Sequence, residues 1–149
     1  MLVSQKCQYA VRAVFELSKR HGQGVVKIAE IAEAQAIPVR FLEVILSQLK
    51  QGGFVGSRRG KEGGYSLSRP PASLTVGEVI RFVEGPVGPV DCVEDSAAGG
   101  CRLHGSCVFL GMWARVERAI SEVYDSTTFQ GLVDEEQRLQ SEYVPSYVI

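Results

Sequence analysis

The stretch "CVEDSAAGGCRLHGSC", residues 92–107, holds three of the four cysteines of this chain. Cys92, Cys101 and Cys107 are separated by eight and by five residues, with Gly99, Gly100 and Gly105 among them. A structural zinc site usually contains a close pair such as C-x-x-C, which this stretch lacks. Wide spacing in a glycine-rich loop suits a larger object that the sulfurs wrap around, and thiolates are the ligands of iron–sulfur clusters. The glycines would leave backbone N–H groups free to bond the sulfides. Two other chemistries fit the same residues: zinc held by the three thiolates and His104, or three bare redox thiols. A fourth cluster ligand would have to be another residue, and Cys7 in the first helix and His104 within the loop are the candidates. The ordinary fates of these two are a buried apolar filler for Cys7 and an exposed loop residue for His104.

A second set of residues could bind a polyanion. The net charge of −1 hides an asymmetry: residues 1–69 carry eleven Lys/Arg against five Asp/Glu, whereas residues 70–149 carry five against twelve. A basic half on a nearly neutral chain suggests a polyanion docked at one end. Within that half, Arg40, Glu43, Ser47 and Gln48 lie on the face left free by Leu42, Ile45, Leu46 and Leu49. Arginine pairs bidentately with guanine and glutamate accepts from cytosine, so this face has base-reading chemistry. Further on, "RRGKEGG" offers Arg58, Arg59 and Lys61 around Gly60, Gly63 and Gly64. Glycines there let the backbone approach phosphate, or let an arginine lie in the minor groove.

The elements that must position these groups follow from apolar spacing. "QYAVRAVFELSKRHG" places Ala10, Val14 and Leu17 on one helical face, and "KIAEIAEAQAIP" gives a shorter helix with Ile28, Ile31 and Ala32 inward. A tight break at Ala36-Ile37 precedes a third helix with Pro38 in its first turn, which Gly52-Gly53 ends. The basic, glycine-rich stretch then reads as a β-hairpin. Thr75 followed by Glu78 starts a capped helix that closes at Gly85-Pro86, where the cysteine loop opens. A longer helix from about Val108 to Tyr124 carries Trp113, Val116, Ile120 and Val123. A second capping signal, Thr127 with Gln130, starts a final helix.

Helix, helix, short turn, helix and basic hairpin is the order of a winged helix-turn-helix that reads double-stranded DNA. The expected fold is mainly α: a winged helix-turn-helix with a β-hairpin wing plus a long dimerisation helix. Its expected parts are residues 1–84 for DNA binding, 85–107 for the cysteine loop, and 108–149 for the dimerisation helix, the final helix and a tail. The apolar stripe of the long helix is expected to bury against a second copy, as a palindromic operator requires. No enzyme is expected, because no nucleophile–base pair or phosphate-cradling loop is suggested. No signal peptide or transmembrane run is read, so a cytoplasmic protein with no membrane partner is expected.

The stretches "LVSQKCQYAVRA", "IPVRFLEVILSQL", "RRGKEGGYSLSRP" and "LTVGEVIRFVEGP" together resemble, over nearly the whole chain, one family. It is the family of bacterial dimeric winged-helix regulators that includes IscR, NsrR and CymR. The resemblance implies that Ser4, Lys6 and Tyr9 hold the DNA backbone, that Arg40, Phe41 and Glu43 sit at the groove, and that Arg59 inserts through the wing. It also implies a repressor that senses iron–sulfur, redox or nitric oxide status through a 2Fe–2S or 4Fe–4S cluster. IscR and NsrR carry three cysteines in this loop and CymR lacks them. Here Phe41 stands where these proteins often have tyrosine, and Val44 where IscR has glutamine. Leu110 stands where IscR has a histidine, and Gln8 at the position matching an acidic residue of NsrR. The ending "SYVI" resembles tails that insert a terminal isoleucine into cysteine synthase, which would make Tyr147, Val148 and Ile149 a partner-binding segment. The alternative function is therefore a cluster-free regulator of sulfur metabolism controlled by cysteine synthase.

Overall fold

A computed structural model describes residues 3–93 and 101–143. Among the described residues, six α-helices and one hairpin make up the fold: α1 (Gln5–Lys19), α2 (Ile28–Gln35), α3 (Val39–Gln51), β1 (Val55–Arg58), β2 (Gly64–Leu67), α4 (Val76–Glu84), α5 (Leu110–Ser126) and α6 (Phe129–Glu142). Short 3-10 turns cover Pro71–Ser73 and Asp91–Val93. The core forms where the inward faces of α1 to α4 meet. Ala10, Val14, Ile31, Leu42, Leu46, Leu49 and Val79 are fully buried there.

The turn between α2 and α3 is set by Ala36, which takes the left-handed conformation (φ 49°) and ends α2. A left-handed non-glycine residue is uncommon. Here Ile37 packs into the core immediately after it and its N–H donates to Ala32 O at 2.9 Å. Pro38 then precedes α3 with an extended backbone. The wing is an antiparallel pair running from Val55 opposite Leu67 to Arg58 opposite Gly64. Its base is tied to the α1–α2 connection, since Val26 and Tyr65 exchange both backbone hydrogen bonds, at 2.7 and 2.8 Å. A Cβ on Gly64 would lie 2.4 Å from Val26 O, so that close approach requires glycine.

α4 starts with the expected box, the Thr75 and Glu78 side chains each bonding the other's backbone N–H. The final helix is capped one residue later than its sequence signal suggests. Thr128, not Thr127, accepts from Gly131 N–H, while Gln130 donates to Asp134 at 2.8 Å. Thr127 is used otherwise: its carbonyl accepts from Val76 N–H at 2.9 Å, and Phe129 N–H donates to Leu74 O at 3.0 Å. This pairing seats Phe129, fully buried, in the same core as α1. The long helix begins at Leu110, two residues beyond the expected start. It is fastened to α4 through Arg81, which donates to Ser121 Oγ at 3.0 Å and pairs with Asp125. No residue of α5 is buried.

Candidate nucleic-acid interface and cysteine loop

α3 is amphipathic in the sense required of a reading helix. Leu42, Ile45, Leu46 and Leu49 anchor it, none more than 3 % exposed. Arg40, Phe41, Glu43 and Ser47 are exposed and Gln48 is half-buried. The Arg40 guanidinium lies over the Phe41 ring, 4.8 Å from its centroid. Such stacking keeps the charge available at its rim while fixing the side chain.

The start of α1 lies beside this helix. Gln5, Lys6 and Tyr9 face Phe41, Val44 and Ile45 across an apolar groove of about 360 Å³. Two sets of candidates that are distant in sequence, Lys6 with Tyr9 and Arg40 with Phe41, thus share one surface. Arg12 stacks over the Tyr9 ring at 5.5 Å and adds a cation to that surface that the sequence reading missed. Its signal was available as the i, i+3 spacing of an aromatic and a cation on one helix.

Ser4 is placed differently from a free phosphate donor. It is the N-cap of α1, accepting from Cys7 N–H at 3.1 Å. Its own N–H donates to Glu84 Oε1 at 2.9 Å and its hydroxyl donates to the same carboxylate. The hydroxyl proton is therefore already engaged within the protein. These bonds from Ser4 hold the Glu84 carboxyl below the usual carboxylate range. Glu84 itself was not a sequence candidate, because the two partners are 80 residues apart.

On the wing, Arg58, Arg59, Gly60 and Lys61 are all exposed. Gly60 adopts φ 106°, open to glycine, and its carbonyl accepts from Gly63 N–H at 2.9 Å. The Arg58 guanidinium turns back to donate to Glu62 O at 3.1 Å. Arg59 and Lys61 make no ion pair with any described residue. Lys50, in the last turn of α3, donates to Ser57 Oγ at 2.6 Å and so ties the reading helix to the wing.

The three loop cysteines sit in the connection from α4 to α5. Cys92 lies on the 3-10 turn Asp91–Val93 and is half-buried, Cys101 is exposed, and Cys107 is half-buried just before α5. His104 lies between the last two, and its N–H donates to Cys101 O at 3.1 Å. Among the described residues no three His, Cys, Asp or Glu side chains converge as a ligand group. Gly99 and Gly100, expected to serve the sulfides, lie outside the described residues, as do Tyr147, Val148 and Ile149. Cys7 is fully buried in the core. Burial, and then the charge of Glu84 and a hydrogen bond to it, push its thiol up to about 11. A cluster ligand must also reach the cluster, and this fully buried thiol is not grouped with the loop cysteines among the described residues.

A family model described as Rrf2, iron-dependent transcriptional regulator, matches residues 3–135. The chain belongs to the Rrf2 family. It is 35% identical over 144 residues to the HTH-type transcriptional regulator CymR of Bacillus subtilis, covering 97% of this chain and 98% of that one. It is 32% identical over 139 residues to the regulator IscR of Klebsiella pneumoniae, covering 93% and 83%. Among solved structures, T. potens IscR matches with a TM-score of 0.75 and 31% identity, over 99% of this chain and 95% of that one. The structure of CymR, the global cysteine regulator of B. subtilis, matches with a TM-score of 0.73 and 34% identity, over 91% and 98%. The fold class is thus that of the Rrf2 winged-helix regulators, and the protein is a DNA-binding transcription regulator. No helix among the described residues is long and apolar enough to cross a membrane.

Proposed function

We propose that this Rrf2 protein is a homodimeric repressor that senses iron–sulfur, redox or nitric oxide status through a cluster held by Cys92, Cys101 and Cys107. The observation that carries the reading is the set of three free thiols on the one segment that joins α4 to α5. The donor set fits the group, since soft thiolates are what an iron–sulfur cluster requires. Holding it requires Cys92 to come together with the turn from Cys101 to Cys107, and His104 is the loop's own candidate for the fourth position. Once bound, the cluster supplies an iron centre sensitive to electron count and to nitric oxide. Everything else is done by this chain.

DNA is held by Lys6 and Tyr9 of α1, read by Arg40, Phe41, Glu43, Ser47 and Gln48 of α3, and clamped by Arg58, Arg59, Gly60 and Lys61 of the wing. Ser4 positions the start of α1 through its cap and its bonds to Glu84. That carboxylate ends α4, directly before the loop, so a change in the loop reaches the DNA-facing end of α1 through the Glu84–Ser4 contact. The exposed apolar row of α5, with Val116 37% and Val123 62% exposed, is the surface for the second subunit. A loop state that alters how α4 meets α5 then biases the spacing of the two reading heads. A preference of a few kcal/mol between two spacings suffices to switch occupancy.

A second reading is favoured by the 35% identity to CymR across nearly the whole chain: a cluster-free regulator of cysteine metabolism, controlled by cysteine synthase through residues 147–149. Purification without oxygen separates the two. A brown protein containing iron and sulfide supports the sensor. A colourless protein that binds cysteine synthase in calorimetry, and loses that binding when Ile149 is deleted, supports the second reading and overturns the first.

A further inference from the structure

The centre of the reading face of α3 is occupied by an apolar side chain. On a helix that advances about 100° per residue, Val44 lies between Arg40 and Ser47 on one side and Phe41 and Gln48 on the other. It is directed away from the buried row of Leu42, Ile45, Leu46 and Leu49. Val44 is 56% exposed and Phe41 47% exposed. Both line the apolar groove whose far wall is the start of α1. A β-branched residue on the exposed face of a helix gains nothing from the core.

We propose that Val44 and Phe41 form an apolar contact for the C5-methyl group of thymine, and so are determinants of operator sequence. This rests on the reading of α3 as the recognition helix. The occupant follows from what the major groove offers: the thymine methyl is its only apolar group, and apolar side chains recognise it. Continuity with the charged surface supports the same assignment. The Arg40 guanidinium sits over the Phe41 ring and Lys6 lies on the groove's opposite wall, so two cations flank the apolar patch as it faces a phosphate-lined groove. Glu43, on the same face, can accept from a neighbouring cytosine. Together they describe a reading head that takes a thymine beside polar contacts, with no polar side chain at the central position.

The test is binding to duplexes selected from a random pool, with each thymine then replaced singly by deoxyuridine, which removes only the C5-methyl group. Wild-type protein should lose about fourfold in affinity at one thymine of a half-site, the worth of one buried methyl group. The loss should be about fifteenfold when both half-sites are changed. Val44→Gln, an exposed substitution that leaves the helix and its core intact, should be indifferent to that deoxyuridine. When reselected, it should change the preferred base at that position. Wild-type binding unaffected by deoxyuridine at every thymine would overturn the methyl contact, while Arg40→Ala in the same assay would still show that α3 reads the duplex. If the pool yields no selected sequence and Arg40→Ala changes nothing, the recognition-helix reading falls and this proposal falls with it.

Discussion

Replacing Arg59 and Lys61 together by alanine tests the wing at the point where the geometry is most specific. Both side chains are exposed and without an ion pair among the described residues, so their charges are available to phosphate. The hairpin does not depend on them. Its pairing from Val55–Leu67 to Arg58–Gly64 and its tie to Val26 are made by main-chain groups. A dimer would lose four cations. If each neutralises one phosphate, the slope of log affinity against log salt concentration should fall by about 0.9 per contact, about 3.6 in all. Over a fourfold rise in salt, wild type should therefore lose roughly 150-fold more affinity than the variant. Fluorescence anisotropy on a selected duplex at several salt concentrations measures both slopes. Arg58→Ala is the internal contrast: its guanidinium is turned onto the Glu62 carbonyl, so its removal should flatten the slope by less than either neighbour. A double variant with the wild-type affinity and the wild-type slope would refute the assignment of the wing to DNA.

Other perturbations separate the remaining roles. Glu43→Ala should broaden the set of selected sequences and leave the salt slope unchanged, since a carboxylate reads bases and releases no counterion from phosphate. Cys101→Ala should abolish the visible absorption of the anaerobic protein, whereas Cys7→Ser should preserve it, because Cys7 is fully buried in the core. Loss of colour in Cys7→Ser alone would reassign the fourth ligand. Ser4→Ala removes the N-cap of α1, about 1 kcal/mol, and should lower the melting temperature by about 2–4 °C in a chain of this size. Glu84→Gln should also destabilise near neutral pH. Because the folded-state pKa of Glu84 is depressed, its stabilisation is complete above the ordinary carboxylate range and is lost as pH falls through the folded value. The gap between wild type and Glu84→Gln should therefore close on acidification, which thermal melts at neutral and acid pH can follow.

The parts legible in the sequence are those whose cause is local. Leu42, Ile45, Leu46 and Leu49 point to the core because their spacing leaves one helical face apolar, and all four are buried. Thr75 and Glu78 form their box because both partners lie within one turn. The exposed set on α3 followed by subtraction. What was not legible depends on contacts between distant segments. The bond between Ser4 and Glu84 has no sequence signature, and it engages the hydroxyl that was expected to reach phosphate. The Val26–Tyr65 bridge, which fixes the wing to the α1–α2 connection, is equally remote in sequence. Thr127 and Thr128 are both competent caps, and the choice between them is made by the backbone pairing of Thr127 with Val76. Burial was the ordinary expectation for Cys7, whereas the approach of Glu84 to its thiol depends on packing α1 against the end of α4.

The most direct measurement is operator affinity of one preparation before and after its iron is removed by chelation without oxygen, with the iron content determined on each sample. The two affinities should differ by at least about tenfold, a bias of roughly 1.4 kcal/mol between the two states. The difference should disappear in Cys101→Ala. Equal affinities for the iron-loaded and iron-free wild-type protein would contradict the claim that the loop cysteines control the reading heads.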